Sequence, residues 1–309
     1  ERQNKALYDV IKENIQEDGS LPANFWLPRS QEELMGIRWM DGAMDGVAYY
    51  HTGMEQERSV ELEKAIWYAC QDEHRKAQKY LEIFSEKNCM IDCINTTQQY
   101  IKENVKKLNL NALLEFGYLL IRTSDNTEEV KLGLVIMEVL CPKIEEVKEI
   151  IRTLAVSDEF TLFALYVIRN WDNVNEEVFR IAKATHGWGR IHAVGLLKPE
   201  NQEMIDWLLQ EGWDNRVQAN YSAWQCCVKT DLLENIQTGL TGEECKKVQK
   251  LIVALFEDGP CITIYQMKNA KEIMEKSSVK QCSSSHMIMK KKGSTDRFIQ
   301  IKEWYFTTK

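Results

Sequence analysis

The sequence predicts an all-α protein, an α-α superhelix of the HEAT/ARM type in which short helix pairs stack into a solenoid. Apolar residues recur three to five positions apart in much of the chain, which places them near one face of a helix. Glycine (15) and proline (5) are few among the 309 residues, which disfavours a fold with many β-turns. The apolar pattern itself recurs at an interval of about 28 residues, as in repeat architectures.

The repeat is clearest between positions 130 and 241, where four units align in three apolar or aromatic columns. The columns hold Met137, Leu165, Ala193 and Tyr221; Val135, Phe163, Ile191 and Ala219; and Leu140, Ile168, Leu196 and Trp224. One helix pair cannot bury its apolar face alone, whereas stacked pairs bury a continuous core. An ordinary helical bundle with helices of similar length is the alternative interpretation of the same pattern.

The chain is therefore predicted to have three parts. Residues 1–129 form an N-terminal helical region packed on the stack, 130–241 form the four repeats, and 242–309 form a helical cap with a basic tail. Outside the repeats, the pattern predicts helices over 5–16, 30–50, 59–87, 89–108, 109–122 and 261–280. Thr241 and Glu244 have the spacing of a capping box and predict the start of a further helix.

Charge and cysteine content limit the classes of partner. The formal net charge of −8 disfavours nucleic acid, which requires many basic phosphate contacts, and favours a basic protein or peptide through electrostatic steering. The nine cysteines are irregularly spaced, which is typical of reduced thiols and indicates a cytoplasmic protein. An uninterrupted apolar run of about 18 residues is absent, so no membrane span is expected.

One segment contains residue types that bind metals. Asp41 and Asp45 lie four positions apart, and His51 follows them. Two carboxylates and an imidazole are metal-ligand types, and Gly42 and Gly46 permit close approach of another group. The segment is the candidate metal site, although two aspartates on an exposed helix face need no function and His51 lies off that face.

A second group of residues is the candidate partner-binding surface. Arg190 and His192 stand where other repeats carry apolar residues, and Trp188 lies beside them. Trp213 follows Glu211 and Gly212 in a turn between repeats, where we expect it to be partly exposed. Aromatic and arginine side chains dominate binding hot spots, although the columns alone place most of these tryptophans in the core.

Residues 158–236 resemble a group of bacterial HEAT-like proteins, some of which carry a limonene hydroxylase label. The resemblance depends on the run from Gly187 to Val194, on Asp206–Leu209 and Glu211–Asn215, and on Tyr221–Ala223. It implies an all-helical repeat fold. The label additionally implies a monooxygenase.

The residues themselves contain no dinucleotide-binding fingerprint, no di-iron Glu-x-x-His pair and no Walker-A loop. We therefore expect no cofactor and predict a non-catalytic solenoid that binds a protein or peptide. The alternative is an enzyme of unknown reaction, of which the limonene hydroxylase type is the named version.

Overall fold

The computed structural model describes residues 5–28, 39–53, 56–237, 240–257 and 261–273. Helices and turns make up these ranges, and none of the residues in them lies in a β-strand. The predicted all-α class is thereby confirmed. Within the same ranges, every helix is too short or too polar to cross a membrane. The described cysteines are all free thiols.

The α-helices of the described residues are numbered in chain order. They are α1 Leu7–Asn14, α2 Ala43–Val47, α3 Val60–Ala69, α4 His74–Ser85, α5 Ile94–Glu103, α6 Leu110–Thr123, α7 Thr127–Leu140, α8 Glu145–Leu154, α9 Thr161–Ile168, α10 Val174–Ala184, α11 Trp188–Leu196, α12 Gln202–Trp207, α13 Asn220–Lys229, α14 Leu232–Gln237 and α15 Gly242–Ala254. Two π-helical turns, Ala48–Thr52 and Leu208–Gly212, continue α2 and α12. Short 3-10 turns lie at Met90–Asp92 and Ile264–Gln266.

The helices form two compact units. The first contains the described residues up to Lys198 together with Asp214–Gln218, and the second contains Pro199–Trp213 and the described residues from Ala219 onward. The boundary between the units lies within the region predicted to hold the four repeats.

Helix α9 lies at the centre of the first unit. It packs against α7, α8, α10 and α11, and α7 packs against α6 on its other side. Seven of its residues are buried, from Thr161 to Ile168 with Tyr166 the exception. A helix that is apolar on all sides requires such an enclosed position. The first helices of three successive pairs, α7, α9 and α11, are therefore neighbours in one row.

The structure follows the predicted repeat only in part. The column of Met137, Leu165, Ala193 and Tyr221 is buried in every unit, whereas Leu140, Leu196 and Trp224 of another column are only half-buried. The first helix of each pair begins at Thr127, Thr161, Trp188 and Asn220, so the interval between pairs is not a constant 28 residues. The variation arises from the helices as well as the connecting turns, since α7 has 14 residues whereas α9 has 8 and α11 has 9.

Two predicted helices differ from the structure, and a third begins as predicted. The helix expected over 59–87 is a hairpin of α3 and α4, because Asp72 turns the chain in the left-handed region at φ 59°. The helix expected over 89–108 is a 3-10 turn followed by α5. The cap predicted at Thr241 is present as a full capping box, and α15 begins there as expected.

Two further predictions lie partly outside the described residues. Of the helix expected over 30–50, residues 29–38 are not described, and the described part is helical only from Ala43. Gly42 precedes it with φ 75°, a left-handed conformation that interrupts a helix and that glycine adopts without strain. Of the helix expected over 261–280, the described part contains the 3-10 turn Ile264–Gln266, and residues 274–280 lie outside the described residues.

Candidate functional site

A cleft with a volume of about 230 Å³ lies in the first unit. Segments far apart in the sequence form its walls: the extended chain after α1, the turn before α2, the turn before α9, the end of α10 and Arg216. The lining residues described are Leu21, Pro22, Ala23, Phe25, Trp26, Met40, Asp41, Val156, Ser157, Asp158, Ala184, Thr185, His186 and Arg216. Apolar side chains thus surround two carboxylates, an imidazole and a guanidinium group.

Asp158 connects the cleft to the start of α11. Its Oδ1 accepts hydrogen bonds from the backbone N–H groups of Gly187, at 3.2 Å, and Gly189, at 2.7 Å. These N–H groups would otherwise lack acceptors at a helix N-terminus. The helix that follows Asp158 in the chain, α9, begins without a side-chain cap. Asp158 instead caps α11, the first helix of the next pair.

The charge of Asp158 has no nearby counterion. Burial raises the pKa of its carboxyl to about 6, although the two N–H donors and the more distant Arg216 oppose the rise and Asp41 adds to it. None of the described cationic side chains forms an ion pair with it. Asp158 is half-buried and lines the cleft. Such a group, poised near neutral pH in a cleft, is a candidate functional residue.

Two neighbouring oxygen-bearing side chains complete this wall. Asp41 accepts a hydrogen bond from the backbone N–H of Leu27 at 3.0 Å. Ser157 is 1% exposed, and its Oγ has no hydrogen-bond partner within the part of the chain that the structure describes. A buried hydroxyl without a partner is uncommon and requires an explanation.

The opposite side of the cleft carries hydrogen-bond donors. His186 Nδ1 lies 3.0 Å from Nη2 of Arg190, which as a guanidinium can only donate. Burial, with Arg190 and Arg216 nearby, lowers the pKa of His186, which is therefore neutral at pH 7. Arg216 is exposed, and its Nη1 donates to the carbonyl of Ala23 at 3.2 Å. Trp26 is 46% exposed at the same cleft.

A buried ionic cluster holds the wall that contains Asp41. The Nζ of Lys131 on α7 lies 2.8 Å from Asp45 Oδ2, 3.2 Å from Glu128 Oε1 and 2.8 Å from Glu159 Oε1. Oε2 of Glu159 in turn accepts the backbone N–H of Gly42 at 2.8 Å. The turn containing Asp41 is therefore tied to α7 through a chain of buried charges.

The cluster contains more acidic than basic groups, because three carboxylates surround one ammonium. Burial opposes the charged form of Lys131, but Asp45, Glu128 and Glu159 raise its pKa well above the ordinary value. Burial raises the pKa of Asp45 to about 7 despite the attraction of Lys131. Neither oxygen of Asp45 has a partner in hydrogen-bond geometry among the described residues, whereas Oε2 of Glu128 accepts the backbone N–H of Met90. Asp45 can consequently hold a proton near pH 7.

The predicted metal site of Asp41, Asp45 and His51 is not formed. Asp41 lies in the cleft wall, Asp45 is buried against Lys131, and His51 is exposed in the π-helical turn. Within the described ranges, no three His, Cys, Asp or Glu side chains are placed to hold a metal ion. The prediction assumed one helix face, but the turn at Gly42 separates Asp41 from α2. The expected close approach at glycine is present, since a Cβ on Gly46 would lie 2.2 Å from Cε3 of Trp188.

The four predicted partner-binding residues are all buried, between 4% and 7% exposed. Arg190 binds the end of α10, where its Nε donates to the carbonyls of Ala182 and Thr185. This contact satisfies carbonyl groups that have no partner at a helix C-terminus. Trp213 is not the exposed residue that the sequence suggested, because its Nε1 donates to the carbonyl of Leu209 inside the second unit.

His192 and Trp188 belong to an aromatic cluster with Tyr49 and Tyr50. The ring of Tyr50 stacks on His192 at 5.7 Å between centroids and on Trp188 at 6.1 Å. Burial lowers the pKa of His192 to about 3, so its imidazole is neutral. Tyr49, 44% exposed, contacts the edge of the same imidazole and is the part of the cluster that faces solvent.

Sequence patterns did not indicate Ser157, His186, Arg216 or Trp26 as site residues. The signal available for Asp158 was its position as a helix cap, and the prolines around Trp26 indicated an extended segment.

Comparison of the chain with models of protein families, with curated proteins and with solved structures gave no significant match.

Proposed function

We propose that the chain is a non-catalytic α-solenoid protein that binds a protein or peptide partner through the cleft of its first unit. The observation that carries the proposal is a large exposed aromatic ring, Trp26, beside a cleft in which the Ser157 hydroxyl has no hydrogen-bond partner among the described residues. Aromatic rings of this kind are common anchors of protein interfaces. The row of α7, α9 and α11 supports the solenoid arrangement.

The size of the cleft favours a side chain of the partner over a whole cofactor. Its volume of about 230 Å³ is below the roughly 300–1,000 Å³ of pockets that enclose drug-sized ligands and cofactors. An extended peptide can place one side chain in such a cleft while its backbone lies across the rim. The proposal therefore replaces Trp188, Arg190, His192 and Trp213 with the cleft as the binding site.

Site-specific photo-crosslinking tests this proposal. A benzophenone amino acid replaces Trp26 in one variant and Leu119 in the other, and both are irradiated in extract of the source organism. Trp26 and Leu119 are 46% and 44% exposed, so the second variant controls for random capture by a surface apolar residue. We expect one protein to be captured at position 26 and not at 119, with excess unmodified chain competing for it.

Two outcomes contradict the proposal. The first is equal capture at the two positions, which means that the cleft has no specific partner. The second is oxidation of limonene by the purified chain with a reductant, which identifies the enzyme that the resemblance implied.

A further inference from the structure

We propose that the cleft receives a lysine side chain of the partner, with its ammonium group against Asp158, Asp41 and Ser157. The inference rests on the proposed function, since it names the part of the partner that enters the cleft. Three separate oxygen-bearing side chains line one wall, and an ammonium group has three N–H donors to offer them. The apolar residues Leu21, Val156 and Ala184 provide contacts for the aliphatic stem.

Asp158 and Ser157 show that this wall is incomplete without a ligand. The carboxylate of Asp158 forms no ion pair with any described cation, although its surroundings remove much of its hydration. The Ser157 hydroxyl is 1% exposed and has no partner among the described residues. A donor that carries positive charge satisfies both groups at once, and charge-assisted hydrogen bonds are the stronger kind.

The charge balance of the cleft also favours a cation. Above its pKa, Asp158 contributes a negative charge that no described cation pairs with, and Arg216 donates to the carbonyl of Ala23. His186 is neutral at pH 7 because its pKa is lowered. The carboxylate of Asp158 therefore favours a cation, in agreement with the acidic chain as a whole.

Peptide binding measured by calorimetry tests the inference. Four blocked pentapeptides differ only in a central lysine, norleucine, arginine or glutamate, and the full chain is titrated with each. Norleucine retains most of the stem without the charge. We expect lysine to bind at least about tenfold more tightly than norleucine, from the loss of charge-assisted hydrogen bonds.

Variants of the chain identify the groups responsible. Asp158→Asn keeps an oxygen that can accept the N–H groups of Gly187 and Gly189 but removes the charge. It should weaken lysine binding about tenfold and leave norleucine binding unchanged. Ser157→Ala should weaken lysine binding severalfold. Glu115→Gln removes one charge from an exposed position on α6 and should have no effect.

The pH dependence provides an independent measurement. Lysine binding should strengthen from pH 5 to pH 7 as Asp158 loses its proton. Protonation of His186 at low pH acts in the same direction, and Asp41 and Arg216 are the other described charged residues that line the cleft. The Asp158→Asn variant should therefore show a smaller increase than the unmodified chain.

The two proposals fail in different ways. Equal affinity for the lysine and norleucine peptides overturns the lysine inference, even if position 26 captures a specific protein. An arginine peptide that binds as tightly as lysine overturns the choice of an ammonium group. Tight lysine binding without a captured protein supports the cation site and overturns the protein partner.

Discussion

The first unit contains three carboxylates that share a cation within the fold and one, Asp158, that has no ion pair with a described residue. Asp45, Glu128 and Glu159 surround the buried ammonium of Lys131, whereas Asp41 and Asp158 line an open cleft in which Asp158 has no ion pair with a described residue. Glu159 and Asp158 are adjacent in the sequence, yet each belongs to a different group. The first group has its counterion within the fold, whereas Asp158 can obtain one from a ligand.

The comparison separates stability from binding. Removing a charge from the closed cluster should affect folding strongly, because the charges left behind are buried without compensation. Removing a charge from the cleft should affect folding weakly and binding strongly. The four predictions that follow test this separation, from the largest expected effect on stability to the smallest.

Lys131→Met should produce the largest loss of stability. The variant leaves three buried carboxylates without their cation, and breaking a buried ion pair in this way costs about 3–5 kcal/mol. Chemical denaturation at pH 7 measures the change. Lys76→Met is the control, since Lys76 pairs with Glu73 at the surface and its loss should cost less than about 1 kcal/mol. Similar losses for the two variants would mean that the cluster is solvated and the comparison is invalid.

Asp45 should make stability fall as pH rises from about 4 to 7. Burial raises the pKa of Asp45 to about 7 in the folded chain, so between these values the folded state binds a proton that the unfolded state has lost. Each pH unit in this window then costs up to about 1.4 kcal/mol. Asp45→Asn should lack this dependence, so the free energy of unfolding of the unmodified chain minus that of the variant decreases with pH.

The measurement compares the unmodified chain with Asp45→Asn, because His192 changes the stability of both with pH in the opposite direction to Asp45. Its pKa is lowered to about 3 by burial, so the unfolded state binds the extra proton below pH 6.5 and stability is lost as pH falls. A constant difference between unmodified chain and Asp45→Asn from pH 5 to 8 would show that Asp45 is already ionised at pH 5.

Two substitutions of Asp158 distinguish its charge from its hydrogen bonds. Asp158→Ala removes the acceptor for Gly187 and Gly189 and should cost about 1 kcal/mol, as loss of a helix cap does. Asp158→Asn keeps an acceptor and removes a charge that burial disfavours, so its thermal midpoint should stay at or above that of the unmodified chain. A loss for Asn as large as that for Ala would place the charge of Asp158 in the structural group with Asp45.

The helical fold could be predicted from the sequence because its determinants are local. Apolar spacing and caps such as Asn109 and Thr241 act within a few residues, and α6 and α15 begin where they indicated. The turn at Asp72 was missed because the charged residues around it continue a helix-like pattern across the break between α3 and α4.

The cleft and the ionic cluster could not be predicted in the same way. Lys131 lies in an ordinary helical pattern, and two of its partners, at 45 and 159, become neighbours only when α2 and the turn before α9 pack against α7. Trp213 has acidic neighbours that suggested exposure, but the π-helical turn before it places its ring inside the second unit. Trp26 was predicted to be in an extended segment, and only the fold brings it to Asp158.

Ser157→Ala should have the smallest effect on stability and the most specific effect on binding. The Oγ of Ser157 is buried without a partner, and an unsatisfied hydroxyl costs about 1–3 kcal/mol in proteins, part of which the substitution recovers. We expect the free energy of unfolding to be unchanged or up to about 1 kcal/mol higher, measured by urea denaturation. Ser222→Ala is the matched control, because Ser222 Oγ is also buried without a partner but lies in the second unit. Both variants should be equally stable, and only Ser157→Ala should weaken lysine binding. A destabilisation of more than about 1 kcal/mol by Ser157→Ala alone would show that its hydroxyl is already satisfied within the fold, and that the cleft, like the Lys131 cluster, is complete without a ligand.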